Sequence, residues 1–244
     1  LEALFSLYLP DSSLCQLNRE GRLGNPPGEL VNLVRKSLVV AERSGGIFDP
    51  TVQPYWQWLR EVVEAGDGID PAEQVRQLSR VDYRQVRCAA EEVSFGKSGM
   101  AMTFNGIAQG WITDRACELL RESGARHCLV NLGEFYALGG QCSGQDWLVG
   151  LRGLAGEEVS LRNRALAVSS GSGFHFGTGA GRNHLIDPRS GACAEDRRVV
   201  AVTAGEACLA DALSTACAVM GDEEARALIA KWEGVDLAIH RSPA

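Results

Sequence analysis

The run Asn183-His184-Leu185-Ile186-Asp187-Pro188-Arg189-Ser190-Gly191 sets an imidazole, a carboxylate and a guanidinium around a proline turn. An imidazole titrates near neutral pH, which makes His184 a candidate general base for a hydroxyl. Pro188 biases Asp187 toward an extended backbone. If the run is a strand, His184 and Ile186 share one face while Leu185 and Asp187 share the other. A second run, Ala210-Asp211-Ala212-Leu213-Ser214-Thr215-Ala216, puts a carboxylate and a hydroxyl at i and i+4 of an apolar helical stretch. Two oxygens so placed can meet one hard cation such as Mg²⁺. Each run also has a local account: Asp211 complements the helix dipole while Thr215 bonds back to a carbonyl, and His184 sits on a surface strand entering an ordinary Asp-Pro turn. Flanked by Leu209, Ala210, Ala212 and Leu213, Asp211 has few routes to water, which puts the ligand account level with the local one.

Two further stretches suit an anion. Asn105-Gly106-Ile107-Ala108-Gln109-Gly110 opens a helix with two glycines, so backbone can approach a ligand and N–H groups can face it. Ser169-Ser170-Gly171-Ser172-Gly173 follows a strand-like run and is another phosphate-loop candidate. An N-cap with small packing residues, and a common Ser/Gly turn, are the plainer accounts. Histidines 127, 175 and 240 have no such company and read as structural or exposed.

These residues must be held by a mixed scaffold. Residues 28–43 carry Leu30, Leu33, Val34, Leu38 and Ala41 on one stripe and stop at Gly45-Gly46, which predicts an amphipathic helix. Helices are also predicted from Gln53 to Ala65 and from Pro71 through Leu78, and another from an Asn105 cap to Glu122 before Gly124. Short β-like runs lie at 85–88, 93–95, 129–132, 135–138, 147–151, 165–168 and 199–203, with Gly between several of them, as in antiparallel pairing. Residues 207–220 and 223–232 return to helix, and 235–239 reads as a last strand. Helices mixed with consecutive strands give an α+β class, expected as one domain over 1–244 with a mostly antiparallel or mixed sheet and flanking helices. Trp56, Trp58 and Trp111 fall at helical spacing and are assigned to packing.

With 244 residues, 45% of them hydrophobic and 23% charged, the chain can bury a sizeable core. A formal net charge of −7 and the lack of a Lys/Arg cluster with aromatics argue against nucleic acid as a partner, while metal-assisted phosphate chemistry stays compatible with an acidic protein. The eight cysteines, at 15, 88, 117, 128, 142, 193, 208 and 217, form no CxxC pair and read as small hydrophobes. No apolar run reaches the ~18 residues of a membrane span. The chain starts at Leu1 inside a patterned segment, and a missing native N-terminal segment is expected.

The order of motifs resembles the ApbE family, the FAD:protein FMN transferases. The resembling segments are Tyr8-Leu-Pro-Asp-Ser-Ser-Leu-Cys-Gln-Leu-Asn18, Gly46-Ile-Phe-Asp-Pro-Thr-Val-Gln-Pro54, Asn105-Gly-Ile-Ala-Gln-Gly-Trp111 with Asp114-Arg115, Val130-Asn-Leu-Gly133, His184-Leu-Ile-Asp-Pro-Arg-Ser-Gly191 and Ala210-Asp-Ala-Leu-Ser-Thr215. The resemblance implies Mg²⁺-dependent transfer of FMN from FAD to a Ser/Thr hydroxyl of a target protein, with release of AMP. By position it implies metal contacts at Gly106, Asp211, Ser214 and Thr215, and flavin contacts at Tyr8, Ile47, Phe48, Asp49, Thr103, Gln109 and Leu185. It leaves His184 as the candidate base, with Asp187 as a group that orients it. A redox subunit as target and a periplasmic or cell-envelope location are implied by the resemblance alone. The chain departs from the pattern at Thr103 and Gln109, where the family commonly has Asp and Lys, and at Gly133-Glu134, where it has Gly-Gly. Two other functions share the same residues: an FAD pyrophosphatase, with water in place of the protein hydroxyl, and a non-catalytic FAD carrier.

Overall fold

Some helices start where a side chain satisfies a free N–H of the first turn, as at Ser12 and Asp70, and some end at a glycine in the left-handed conformation, as at Gly21 and Gly66. The computed structural model describes residues 1–151, 154, 156–177 and 182–241. Their contacts divide the chain into two units, Leu1–Asn105 with Gly173–Ala194, and Gly106–Ser172 with Glu195–Ala244.

In the first unit α1 (Glu2–Phe5) and α2 (Ser13–Glu20) precede β1 (Arg22–Gly24). Ser12 caps α2 by accepting from the Cys15 N–H, and Gly21 closes it at φ 73°. The helix α3 (Gly28–Arg43) buries Leu30, Val31, Leu33, Val34, Ser37, Val40 and Ala41, the predicted stripe apart from Leu38. After a 3₁₀ turn at Pro50–Val52 come α4 (Gln53–Ala65) and α5 (Pro71–Leu78), both with the expected bounds. Then β2 (Val86–Cys88) and β3 (Glu92–Phe95) join β1 in an antiparallel sheet of order β1-β3-β2. Tyr55, Leu59, Phe176 and Ile186 form a buried cluster that ties α4 to residues 173–194. The Tyr55 hydroxyl donates to the Gly191 carbonyl at 2.9 Å. Gly191 has φ 73°, and a Cβ there would stand 2.2 Å from that hydroxyl, so only glycine fits.

The second unit holds α6 (Ala108–Glu122), β4 (Cys128–Asn131), β5 (Phe135–Leu138), β6 (Trp147–Gly150), β7 (Glu158–Leu161), β8 (Arg164–Ser170), β9 (Arg198–Ala204), α7 (Ala207–Ala218), α8 (Asp222–Ile229) and β10 (Asp236–Arg241). Five strands pair antiparallel in the order β10-β9-β8-β5-β4, and β6 and β7 form a separate hairpin. The α+β class with antiparallel sheets is therefore what the protein has. The inner strand β9 buries every residue but Thr203, in keeping with its apolar run at 199–202. The helix α7 is buried around nearly its whole circumference, and its Ala, Cys and Ser side chains let α6 come close. A Cβ on Gly110 would stand 2.3 Å from the Ala207 carbonyl oxygen. All eight cysteines are free, and Cys117, Cys208 and Cys217 are buried as small hydrophobes.

Several boundaries differ from expectation. Asn105 does not cap α6: the helix starts at Ala108 with Ile107 in the cap position and no side-chain cap bond. The helices expected at 207–220 and 223–232 end earlier, at Ala218 and Ile229. The strands β1 and β7 carried too few alternating residues to stand out. Residues around His184 form no strand, only isolated bridges between His175 and Asn183 and between Ile186 and Cys193.

Candidate active site

In the second unit the N-terminal end of α6 lies on α7 so that oxygens gather around Asp211. The Gly110 N–H donates to Asp211 Oδ2 at 3.0 Å. The backbone of Gly106 lies directly over Thr215, since a Cβ on it would be 2.9 Å from both Oγ1 and Cγ2 of that residue. Gly106 thus packs on Thr215 and Gly110 bonds to Asp211, although Gly106 and Asp211 are 105 positions apart. The structure brings Ser214 there too, with its hydroxyl already engaged: it donates to the Asp211 carbonyl at 3.0 Å and shares a 2.8 Å bond with Ser169 Oγ. Gln109 lies against Gly133, whose added Cβ would be 2.9 Å from the Gln109 amide nitrogen.

The electrostatics of this cluster are set by burial. Asp211 is 4% exposed and its carboxyl pKa is raised, first by desolvation and then by the charge of Asp114, against the lowering effect of the Gly110 N–H. Glu134, 7% exposed, is raised as well, first by desolvation and then by the charge of Asp211, and it accepts from the Val168 backbone. Two buried carboxylates of like charge favour a proton or a cation between them. Among the described residues no group of three or more His, Cys, Asp or Glu forms a metal centre. The available donors are instead one carboxylate, one hydroxyl and backbone, all hard oxygens of the kind Mg²⁺ takes. Donors of these types are compatible with such an ion. Glu134 entered the sequence reading only as a departure from Gly-Gly; its nearness to Asp211 follows from strand placement that no local pattern reports.

Asp114 anchors the same assembly. Its two carboxylate oxygens accept the Ala207 and Cys208 N–H groups at 2.8 and 2.9 Å, capping α7 from α6. Spacing gave no sign of this contact, because capping residues usually lie within the chain segment they cap.

In the first unit the His184 ring nitrogen Nδ1 lies 3.0 Å from the Phe174 carbonyl. A carbonyl only accepts, so Nδ1 carries the proton and Nε2 keeps its lone pair. The His184 pKa is lowered, chiefly by desolvation and also by His175, against the raising effect of the Phe174 carbonyl. The Phe174 ring packs edge-on against the imidazole at 6.1 Å. The carboxylate of Asp187 is directed elsewhere. It accepts the Arg189 backbone N–H at 2.8 Å and pairs with the Arg189 guanidinium at 2.8 Å, so it shapes the Pro188 turn and the carbonyl of Phe174 orients His184.

The remaining expected flavin contacts also lie in this unit. Ile47, Phe48 and Leu185 are buried, and Tyr8 is 78% exposed. Asp49 Oδ1 accepts from the Thr51 N–H and hydroxyl at 2.8 and 2.6 Å, while Oδ2 accepts from the Tyr83 N–H at 3.0 Å. Burial raises its pKa despite those bonds. Thr103 is tied to the same loop by its N–H to the Pro50 carbonyl at 2.8 Å, and its hydroxyl accepts from Asn105. Asp49 and Thr103 thus brace the loop whose backbone includes Ile47 and Phe48.

The fold and these side chains define an α+β protein with a buried carboxylate cluster in one unit and an imidazole of lowered pKa in the other. The sequence model of the ApbE family matches residues 1–239. An FAD:protein FMN transferase of Treponema pallidum is 30% identical over 263 residues, covering 96% of this chain and 72% of that protein. One of Escherichia coli K12 is 23% identical over 254 residues, covering 93% and 70%. Among solved structures, the ApbE protein of Thermotoga maritima superposes with a TM-score of 0.82 at 25% identity, covering 98% of this chain and 84% of that one. The apo flavinyl transferase ApbE of Pseudomonas stutzeri has the same fold, with a TM-score of 0.83 at 24% identity and coverage of 100% and 79%. The chain belongs to the ApbE family.

Proposed function

We propose that this protein transfers FMN from FAD to a Ser/Thr hydroxyl of a target protein and releases AMP. The observation that supports the reading is the close approach of Gly106 to Thr215 and of Gly110 to buried Asp211, in a chain 30% identical to a flavin transferase. Mg²⁺, when bound there, supplies positive charge for the FAD diphosphate and for the AMP leaving group. Asp211, buried away from water, would hold the ion where its charge is little screened. His184 Nε2 takes the hydroxyl proton as that oxygen bonds to the FMN phosphorus and the bond from phosphorus to the AMP oxygen breaks. The Phe174 carbonyl keeps the imidazole in the required tautomer throughout. Tyr8, the Ile47-Phe48-Asp49 loop, Thr103, Gln109 and Leu185 are the proposed flavin contacts. The target is a subunit of a flavin-dependent redox complex, and the place of action is the periplasm or cell envelope; the resemblance supports both. No helix among the described residues is long and apolar enough to cross a membrane.

The test is incubation with FAD, Mg²⁺ and a Ser/Thr-bearing target, followed by assay of AMP and target mass. AMP together with an FMN-sized mass gain, both lost in Asp211→Ala, is the expected result. AMP without target modification would make the protein an FAD pyrophosphatase, and tight FAD binding without AMP would make it a carrier.

A further inference from the structure

A cavity of about 280 Å³ in the first unit is lined by Tyr8, Gln53, Trp56, Arg60 and Asn105, with three further residues of the N-terminal segment and α4. Gln53 opens α4 and is 9% exposed, yet its Oε1 has no hydrogen-bond partner. Buried polar atoms are nearly always paired; Gln53 lines the cavity, and a turn of its amide about the terminal bond would aim the unpaired Oε1 at a partner that arrives from outside the chain. The walls suit a flat ring. Trp56 is fixed by edge contact with Phe176 at 5.0 Å, the Arg60 guanidinium lies 5.8 Å from the Trp56 ring centre, and Tyr8 offers an exposed ring.

A primary carboxamide has a distinctive complement. Its oxygen accepts from a ring N–H while its NH₂ donates to an acceptor beside that N–H, giving two parallel bonds in one plane. FAD carries two edges of this type, the N3–H imide of the isoalloxazine and the amino edge of the adenine. We propose that Gln53 is a specificity-determining contact, whose amide reads an N–H-bearing heterocycle edge of FAD in this cavity. The inference rests on the proposed flavin substrate. Nothing in the spacing of residues marks Gln53, which reads as an ordinary helix-opening residue.

The experiment is calorimetric binding of FAD, riboflavin and AMP to the native chain and to Gln53→Leu, with 3-methylriboflavin, which lacks the N3 proton, as a further probe. Gln53→Leu is expected to weaken either riboflavin or AMP about tenfold while leaving the other unchanged, and the affected ligand identifies the ring. If that ring is the isoalloxazine, native protein also discriminates against 3-methylriboflavin about tenfold and Gln53→Leu does not. The melting temperature of Gln53→Leu should hold or rise, because an unpaired buried amide has been removed; Gln53→Met serves the same test if the leucine variant does not fold. Native binding of FAD with no change for either fragment in the variant overturns the role of Gln53 and leaves flavin transfer standing. Native protein that binds neither FAD nor either fragment overturns both.

Discussion

At the scale of single residues, His184 does the most with the least support. One backbone carbonyl, that of Phe174, selects its tautomer, and burial holds its pKa below the usual 6.5. A lowered imidazole pKa means that the folded state prefers the neutral ring, which is the form that accepts a proton. The acid limb of kcat/KM for transfer is therefore expected below pH 6.5, and His184→Gln should remove that limb and lower kcat about 10²- to 10⁴-fold. The same shift sets a stability window. The His184 contribution is complete above pH 6.5 and is lost as pH falls through that unfolded-state value toward the folded one, because the unfolded chain takes up the proton first. A pH–rate profile and a pH series of urea unfolding curves check both, and an acid limb at or above pH 6.5 would remove the base role. Asp187 belongs to the turn, as its pairing with Arg189 shows. For Asp49→Ala the expected result is a loss of about 1–3 kcal/mol of stability, because the buried Thr51 and Tyr83 N–H groups lose their acceptor; an unchanged urea midpoint would show that the loop braces itself by other means.

At the scale of elements, the surroundings of Asp211 depend on how closely α6 approaches α7. Two features set that approach: Asp114 of α6 capping the first turn of α7, and Gly110, which leaves the Ala207 carbonyl room. Asp114→Ala should cost about 1–2 kcal/mol, the usual worth of a helix cap, and lower Tm by roughly 2–8 °C in a chain of this size. Gly110→Ala should cost more, since a methyl group meets backbone at 2.3 Å and the helices must part. Parting them also breaks the Gly110 bond to Asp211, so Mg²⁺ affinity should fall in Gly110→Ala beyond what Asp114→Ala causes. Thermal melts and metal titrations of the two variants separate these effects; equal metal affinity in both would show that the cluster does not need the close approach.

For the whole molecule, the eight thiols report packing throughout the chain. Burial pushes the Cys117 thiol up to about 11 and the Cys217 thiol up to about 12, whereas Cys142 is exposed. Thiolate is the reactive form, so alkylation of native protein at pH 8 should label Cys142 first and spare Cys117 and Cys217, while denatured protein reveals eight thiols. Mass mapping of the labelled sites checks this, and early labelling of Cys217 would mean that α7 opens readily. Reducing agent should leave Tm unchanged, because no disulfide contributes to stability.

Local chemistry alone determined much of this protein. Pro71 and the apolar stripe of α3 marked helix ends and most of a buried face, because turns and 3.6-residue periods act within a few positions. Asp211 and Thr215 were legible as a pair for the same reason, being one helical turn apart. Only the tertiary structure decided the rest. Asn105 looked like a cap for α6 but is drawn to Thr103, and the helix starts three residues later where Gly106 packs on Thr215. The Phe174 carbonyl on His184, Glu134 beside Asp211, Asp114 on α7 and the unpaired amide of Gln53 join residues that spacing does not connect. Periodicity encodes which face a residue occupies; its partners, its burial and hence its proton affinity are settled when distant segments pack and water leaves.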